Sequence, residues 1–579
     1  MKIMCKILLI TLIISVSDMY AQEVKRQEYV KKVYQWFVEA QHENGLISSG
    51  EGKSYCFTYD QALAVFCYTM FEDNKRAKKV LEFFNREAFS QKEFEGFPDM
   101  VDRFGQVGGP SRAAGPNAWI LLAINYYTYK TKDEQYLPLA EKIADWLVSL
   151  EGVDGGITGG YNENNRAFGW ISTEHNLDCY AGFRDLYFLT KKKKYLQEAR
   201  NVLDYLKNFL WYEREKRFFN GTLNPNYATD TSAWGVSALG REYADGLDFA
   251  FKKSLCTHKY DKNNVEVKGF DFGATYFESH YPDQDAVWLE GTGQMVIALQ
   301  IAGKTEESLV YLKEMEKTIT PSEVFPGTLG LPYATNPGTP AGSGWIMGPE
   351  PLVVSSAAWY LMAVKGVNPF SIKELEESNS IVKKINADMD YQAVPIIDGF
   401  DHGEPWILSA FPVTLRMNQD CEYDLFFTED AKQGKGALRI HFTPGQTLAF
   451  KHSRYWSVKG IHDAWALLRR KFFKPQNWSG YNYLSYFAKI EGAPQKVRIK
   501  FIDKDSEIWQ TKEIIIDNRE YKEYRFSIKS DFSIDPAGTS KRGNVKFDID
   551  QIKDMRIFIS QGPRSHESDI YIDEVKLIK

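Results

Sequence analysis

Up to about residue 370 the apolar positions recur at helical spacing, and beyond residue 395 they alternate or run as short strands. Within the first region, six segments open on polar residues and continue with small and aromatic ones. They begin at Tyr59-Asp60-Gln61, Pro116-Asn117, Glu174-His175-Asn176, Asp230-Thr231-Ser232, Trp288-Leu289-Glu290 and Ser355-Ser356. With Asp60, Asn117, Asn176, Ser232, Glu290 and Ser355 as equivalent points, the spacings are 57, 59, 56, 58 and 65 residues, the signature of a repeated supersecondary unit. Between them lie more charged amphipathic segments, at 24–40, 74–87, 134–150, 194–210 and 305–317, whose polar faces suit an outer ring. The pattern predicts twelve helices in six hairpins, closed into an all-α (α/α)6 toroid over residues 22–370.

Residues 371–394 are charged and read as a linker. From residue 395 to 579, runs such as Ala437–Phe442, Lys496–Phe501, Glu513–Asp517, Met555–Ile559 and Asp569–Leu577 predict an antiparallel β-sandwich as a second domain. Residues 1–21 read as a signal peptide: Lys2 and Lys6 precede the apolar run 7–16, and Ala21 offers a cleavage point. The mature chain is therefore expected to be secreted or periplasmic. No other stretch reaches about 18 apolar residues, so no membrane span is expected.

A net charge of −6 carries no electrostatic footprint for nucleic acid. Cys56, Cys67, Cys179, Cys256 and Cys421 have no metal-ligand spacing and read as buried apolar residues. No metal or cofactor is required by the pattern, and the chain is expected to act as a monomer.

Candidate chemistry concentrates in Trp170–Phe183, where Glu174, His175, Asn176 and Asp178 crowd the first turns of an apolar helix. Asp178 follows Glu174 by four residues, so the two side chains are helical neighbours. A carboxyl so placed has a pKa shifted toward the working pH, as proton transfer requires. The same residues are open to a simpler reading, with Thr173 as N-cap and Glu174 favoured by the helix dipole. Long Gly-rich links precede the inner helices and carry Tyr161, Trp170, Tyr227, Tyr333 and Trp345 with the carboxylates Asp99, Asp102 and Asp154. Such links suit sugar stacking and hydrogen bonding, or serve as loop plugs. Inner-helix starts converge at one end of a toroid. Glu174 is therefore the expected general acid, with Asp60, then Glu290, as base and Asp178 as the neighbouring carboxylate. His175, Asn176, Gln61, Trp170, Tyr161, Asp230 and Trp345 are the expected substrate contacts.

With its six helical hairpins and carboxylates at inner-helix starts, the N-terminal region resembles the six-hairpin glycosidase superfamily, which acts on polysaccharides. The Glu174-His175-Asn176 cluster is also faintly similar to sugar epimerases of that fold, which use histidines. The motifs Ile397-Asp398-Gly399-Phe400-Asp401, Trp478-Ser479-Gly480-Tyr481-Asn482-Tyr483 and Tyr571-Ile572-Asp573-Glu574-Val575 are similar to jelly-roll carbohydrate-binding modules. These resemblances imply a glycoside hydrolase acting on a polysaccharide or oligosaccharide, by inversion, with a structural calcium near Asp398 or Asp573. A polysaccharide lyase for uronate glycans, with His175 or a Tyr as base and Arg103, Arg112 or Arg166 as neutraliser, is the first alternative. A non-catalytic glycan-binding surface protein is the second.

Overall fold

The computed structural model describes residues 22–151, 155–166, 168, 170–212, 215–221, 227–273, 285–337, 340–341, 345–346, 348–388, 396–398, 407–410, 422–428, 437–443, 465–476, 478–503, 507–535, 546–560 and 568–579. The expected signal peptide lies outside the described residues.

Twelve helices alternate between two rings. The outer ones are α1 (22–40), α3 (Asn74–Ser90), α5 (Leu137–Val148), α7 (Lys193–Tyr205), α9 (Asp245–Lys253) and α11 (Thr305–Glu316). The inner ones are α2 (Thr58–Met70), α4 (Ala114–Thr131), α6 (Thr173–Thr190), α8 (Thr229–Leu239), α10 (Leu289–Ile301) and α12 (Val354–Lys365). Each inner helix packs on the next, and α12 packs back on α2, so the ring closes into an (α/α)6 toroid. Burial follows position. All eleven residues of α8 are buried, whereas α7 buries one stripe of Tyr195, Leu196, Ala199, Val202 and Leu203. Helix α9 has no counterpart among the amphipathic segments read from the sequence. It is nine residues long and buries only Gly246, Leu247 and Ala250, too few to make a visible period.

A backbone circuit fastens one end of the ring. The first N–H of each inner helix donates to the link that precedes the next: Thr58 to Asp99, Ala114 to Gly159, Thr173 to Asn220, Thr229 to Phe272, Leu289 to Tyr333 and Val354 to Ser49. Helix N-termini leave such donors without intrahelical partners, and here the neighbouring repeat satisfies them. The last bond joins the sixth repeat to the first.

The opposite end is closed by the chain that follows α12. The three floor indoles Trp119, Trp234 and Trp359 meet at centroid distances of 5.5–6.4 Å, and Phe370 packs 5.4 Å from two of them. Arg184, fully buried, binds Asp185, the Ala238 and Phe370 carbonyls and Asn379. Asn379 lies on α13 (Leu375–Asp388) and also donates to the Leu239 carbonyl at 2.8 Å. Residues 371–382 of the expected linker are thus tied to the ring.

The C-terminal strands form two antiparallel sheets. One runs Glu422–Thr428, Ala437–Thr443, Ser568–Ile578, Tyr483–Gly492, Lys522–Ser527, with Ile396–Asp398 also on Ser568–Ile578. The other runs Ile407–Ala410, Trp465–Gln476, Ile552–Ser560, Gln495–Asp503, Ile508–Thr511, Phe532–Ile534, with Ile514–Ile516 on Gln495–Asp503. Alternation puts Leu484, Tyr486, Ala488 and Ile490 against Val497, Ile499 and Phe501 in a shared core, the expected β-sandwich. Trp478 is a core residue, edge-on to Phe501 at 4.7 Å. The strand register sets Asp398 opposite Val575, two residues from the buried Asp573. Among the described residues no group of three or more His, Cys, Asp or Glu could hold a metal ion, and residues 399–406 beside Asp398 lie outside the described residues. No described helix is long and apolar enough to cross a membrane.

Candidate active site

Three layers of side chains define the open end of the ring. The second residues of the inner helices are Tyr59, Gly115, Glu174, Asp230, Glu290 and Ser355. The sixth residues, one turn deeper, are Leu63, Trp119, Asp178, Trp234, Gln294 and Trp359. Asp60 adds a further acid from the third residue of α2. Helical spacing stacks residues two and six on one face, so acids at residue two stand above the tryptophan floor.

The fourth residues do something else. Gln61, Asn117 and Asn176 each accept a backbone N–H and donate to two carbonyls: Ile47 N, Ile47 O and Phe57 O for Gln61; Phe97 N, Phe97 O and Ala113 O for Asn117; Ile157 N, Ile157 O and Ser172 O for Asn176. Thr292 performs the same task for Phe270 N and Trp288 O. All four are fully buried. Gln61 and Asn176 are therefore loop staples, which corrects the expectation that they contact substrate: their donors are spent on the backbone. This residue is also the true repeat point, so Asp60, Glu290 and Ser355 are displaced from it by one or two residues.

The acids form a single electrostatic cluster. Glu174 and Asp230 share a hydrogen bond between neighbouring helices; burial and the Glu290 charge raise Glu174, and burial with the Glu174 and Glu290 charges raises Asp230. Glu290 is surrounded by donors. The Trp359 indole N–H donates to the Tyr59 hydroxyl at 2.8 Å, and that hydroxyl donates to Glu290 Oε1 at 2.7 Å. Gln294 Nε2 reaches the same oxygen at 3.3 Å, and Ser355 is a further partner. Burial still lifts Glu290 to about 7. Asp60 is pushed up to about 8 by burial and by the Glu290 charge, against a hydrogen bond from Ser49. Asp178, beneath the pair, is raised by burial and by the charges of Glu174 and Asp230. Among the described residues, Asp60 Oδ1, Asp230 Oδ1, Gln294 Oε1 and Trp234 Nε1 are buried without a protein partner. A polar ligand would satisfy them.

Neither cap nor dipole accounts for these acids. The N-cap residues of α6, α8 and α10 are Ser172, Ala228 and Trp288, with no side-chain cap, and the carboxylates bond across the ring instead. A cavity of about 470 Å³ opens beside Asp60, lined by Ser49, Lys53, Tyr55, Tyr333 and Glu350 among others.

His175 sits at the edge of the cluster. Its ring is 5.3 Å from the Trp170 ring, and burial depresses it to about 4. A Cβ at Gly115 would lie 2.4 Å from the His175 ring, and one at Gly159 2.6 Å from Trp170, so both glycines are required by close approach. Trp170 remains 38% exposed, with its ring against Phe168 at 5.0 Å and His175 at 5.3 Å. Tyr161 is partly buried, with the Arg112 guanidinium 5.7 Å above its ring. Trp345 stands in the short strand Trp345–Ile346, and its side chain is outside the described residues. Sequence reasoning missed Tyr59, Gln294 and the Trp359 contact. Tyr59 shares the second helical position with Glu174, Asp230 and Glu290, which a register set on residue four would have revealed.

No family model matches the chain, and no curated relative matches it. Solved structures that share partial likeness include a sugar epimerase from a ruminal bacterium (13% identity, 59% of this chain and 98% of that one, TM-score 0.45). A glycosidase variant in complex with glucose is similar at 11% identity over 58% of this chain and 96% of that one, with a TM-score of 0.45. A family 11 carbohydrate-binding module from Clostridium thermocellum covers 32% of this chain and 94% of its own length, at 14% identity and a TM-score of 0.24.

Proposed function

We propose that the chain hydrolyses a glycosidic bond at the open end of the toroid, with the Glu174–Asp230 pair as proton donor and Glu290 as base. The observation that carries this reading is the contrast in hydrogen bonding between two acid sites in the same layer of the ring. Glu174 and Asp230 share one hydrogen bond, an arrangement that retains a proton. Glu290 receives the Tyr59 and Gln294 donors, which favour its charged form. Water then attacks the anomeric carbon as Glu290 takes its proton. The C–O bond breaks, and the leaving oxygen takes the proton held by the Glu174–Asp230 pair. This ordering ranks Glu290 above Asp60 as base, because Asp60 is the more strongly raised. Asp178, beneath the pair, is itself held toward the neutral form by burial and by the charges of Glu174 and Asp230. Trp170 offers a stacking face for a sugar ring. His175, desolvated and depressed, is a weak base, which counts against both the lyase and the epimerase chemistry that would use it. The C-terminal sandwich, Asp398 to Val575 included, is read as an accessory glycan-binding module.

The test is incubation with a panel of polysaccharides and oligosaccharides, with products read by reducing ends, ultraviolet absorbance and mass. Saturated products that disappear in Glu174→Gln and Glu290→Gln support hydrolysis. Unsaturated products would replace it with elimination, and binding without turnover would leave a glycan-binding protein.

A further inference from the structure

The cluster is acidic throughout. Asp60, Glu174, Asp178, Asp230 and Glu290 come from α2, α6, α8 and α10 onto one end of the ring, and four of the five are at most 6% exposed. No described lysine or arginine pairs with any of them. The bases of the surrounding links are engaged elsewhere or turned outward. Arg112 binds Asn165, stands 3.6 Å from Glu95 and covers the Tyr161 ring. Arg103 lies over the Phe104 ring, itself 69% exposed. Lys262 binds Glu350 at 3.1 Å. Arg166 is exposed. Lys53 is the one described base lining the cavity beside Asp60, and it is exposed there with Glu350 on the same wall. Two buried arginines are also spent elsewhere: Arg217 on Glu215 at 2.7 Å, and Arg184, at the opposite end, on Asp185 and Asn379.

Resting on the reading of this site as a glycosidase, we infer that the sugar unit seated among Glu174, Asp230 and Glu290 carries no acidic group: it is a neutral hexose or an amino sugar, and uronates and sulfated sugars are excluded. An acidic substituent would be desolvated beside five acid side chains with no arginine fork to receive it, whereas hydroxyls and ammonium groups donate to carboxyl oxygens. The unpartnered oxygens Asp60 Oδ1, Asp230 Oδ1 and Gln294 Oε1 are acceptors, which fits a donor-rich ligand.

The experiment is calorimetric binding of the full chain to matched sets: glucose, mannose and galactose, their 2-amino derivatives, and their uronic acids, each as monosaccharide and short oligomer. A neutral or amino member is expected to bind at least tenfold tighter than its uronate counterpart. Asp60→Asn and Glu174→Gln are expected to narrow that ratio at least threefold, an effect that mere loss of shape would not produce. Uronates binding equally or better, a ratio unchanged in both variants, or no binding by any member would each overturn the inference. The two claims separate cleanly. Neutral members that bind but are never cut remove the glycosidase and leave charge selection standing; uronates that bind best and are cut do the reverse.

Discussion

Replacing Asp60 by asparagine should stabilise the protein, and only at the alkaline end of its range. Asp60 is buried at 6% exposure and raised from 3.8 to about 8; Glu290, beside it, is raised from 4.5 to about 7. The folded state therefore holds these protons more tightly than the unfolded chain. The linked stability is complete below about pH 4 and is lost as the pH climbs through the folded values toward 8. At about 1.4 kcal/mol per unit, Asp60 alone corresponds to a loss of roughly 6 kcal/mol and Glu290 to roughly 3–4 kcal/mol. Part of the Asp60 shift is the Glu290 charge, so the two losses overlap. Asparagine keeps the volume and an acceptor for Ser49, and it removes the buried charge. The expected gain is about 2–5 kcal/mol near pH 8, falling to near zero at pH 4. Urea unfolding followed by tryptophan fluorescence across that interval measures it. A wild-type midpoint that stays level or rises with pH, or an Asp60→Asn gain equal at both ends, would refute the reasoning.

Asn117→Ala removes three buried bonds to Phe97 and Ala113 and strands the Phe97 N–H and C=O, so a loss of about 3 kcal/mol is expected in the same unfolding assay. Arg184→Met leaves Asp185 charged and buried and unties Phe370 and Asn379, which should cost about 3–5 kcal/mol and show in the fluorescence of the three floor tryptophans. Tyr59→Phe withdraws a charge-assisted bond from Glu290 of about 1.5–3 kcal/mol, so the acid limb of the kcat profile should move up by roughly one to two pH units. An unmoved limb with reduced activity would make Tyr59 a packing residue only.

The hairpin period was readable because each inner helix spends nearly all of its surface on burial, leaving Ala, Trp and Ser where an outer helix alternates charge. The strands Gln495–Asp503 and Ser568–Ile578 were readable for the analogous reason, one buried face each. Position within the repeat was harder. Asn117 and Asn176 stand out as polar residues in apolar helices, and nothing in the sequence separates an amide that binds sugar from one that staples its own link. Distance along the chain likewise hides Tyr59 from Glu290 and Trp359, which meet across the closure of the ring. Residues 371–394 read as a connecting helix or linker, and nothing in their charged pattern shows that Asn379 reaches Arg184, 195 residues away.

The decisive comparison concerns what an acid does at the start of a helix. Glu174, Asp230 and Glu290 occupy the first turns of α6, α8 and α10, where the macrodipole favours an anion by about 0.3–1 kcal/mol, less than one pKa unit. If helix stability had placed them there, each would lie below its ordinary value. All three lie above it, because burial and the neighbouring acids outweigh both the dipole and, for Glu290, at least two hydrogen-bond donors. The remaining helices show that the position itself demands nothing: Tyr59, Gly115 and Ser355 stand there in α2, α4 and α12. Acids that destabilise the ring at neutral pH, in three consecutive repeats and nowhere else in the layer, are not explained by the fold they belong to, which supports the proton transfer proposed for them.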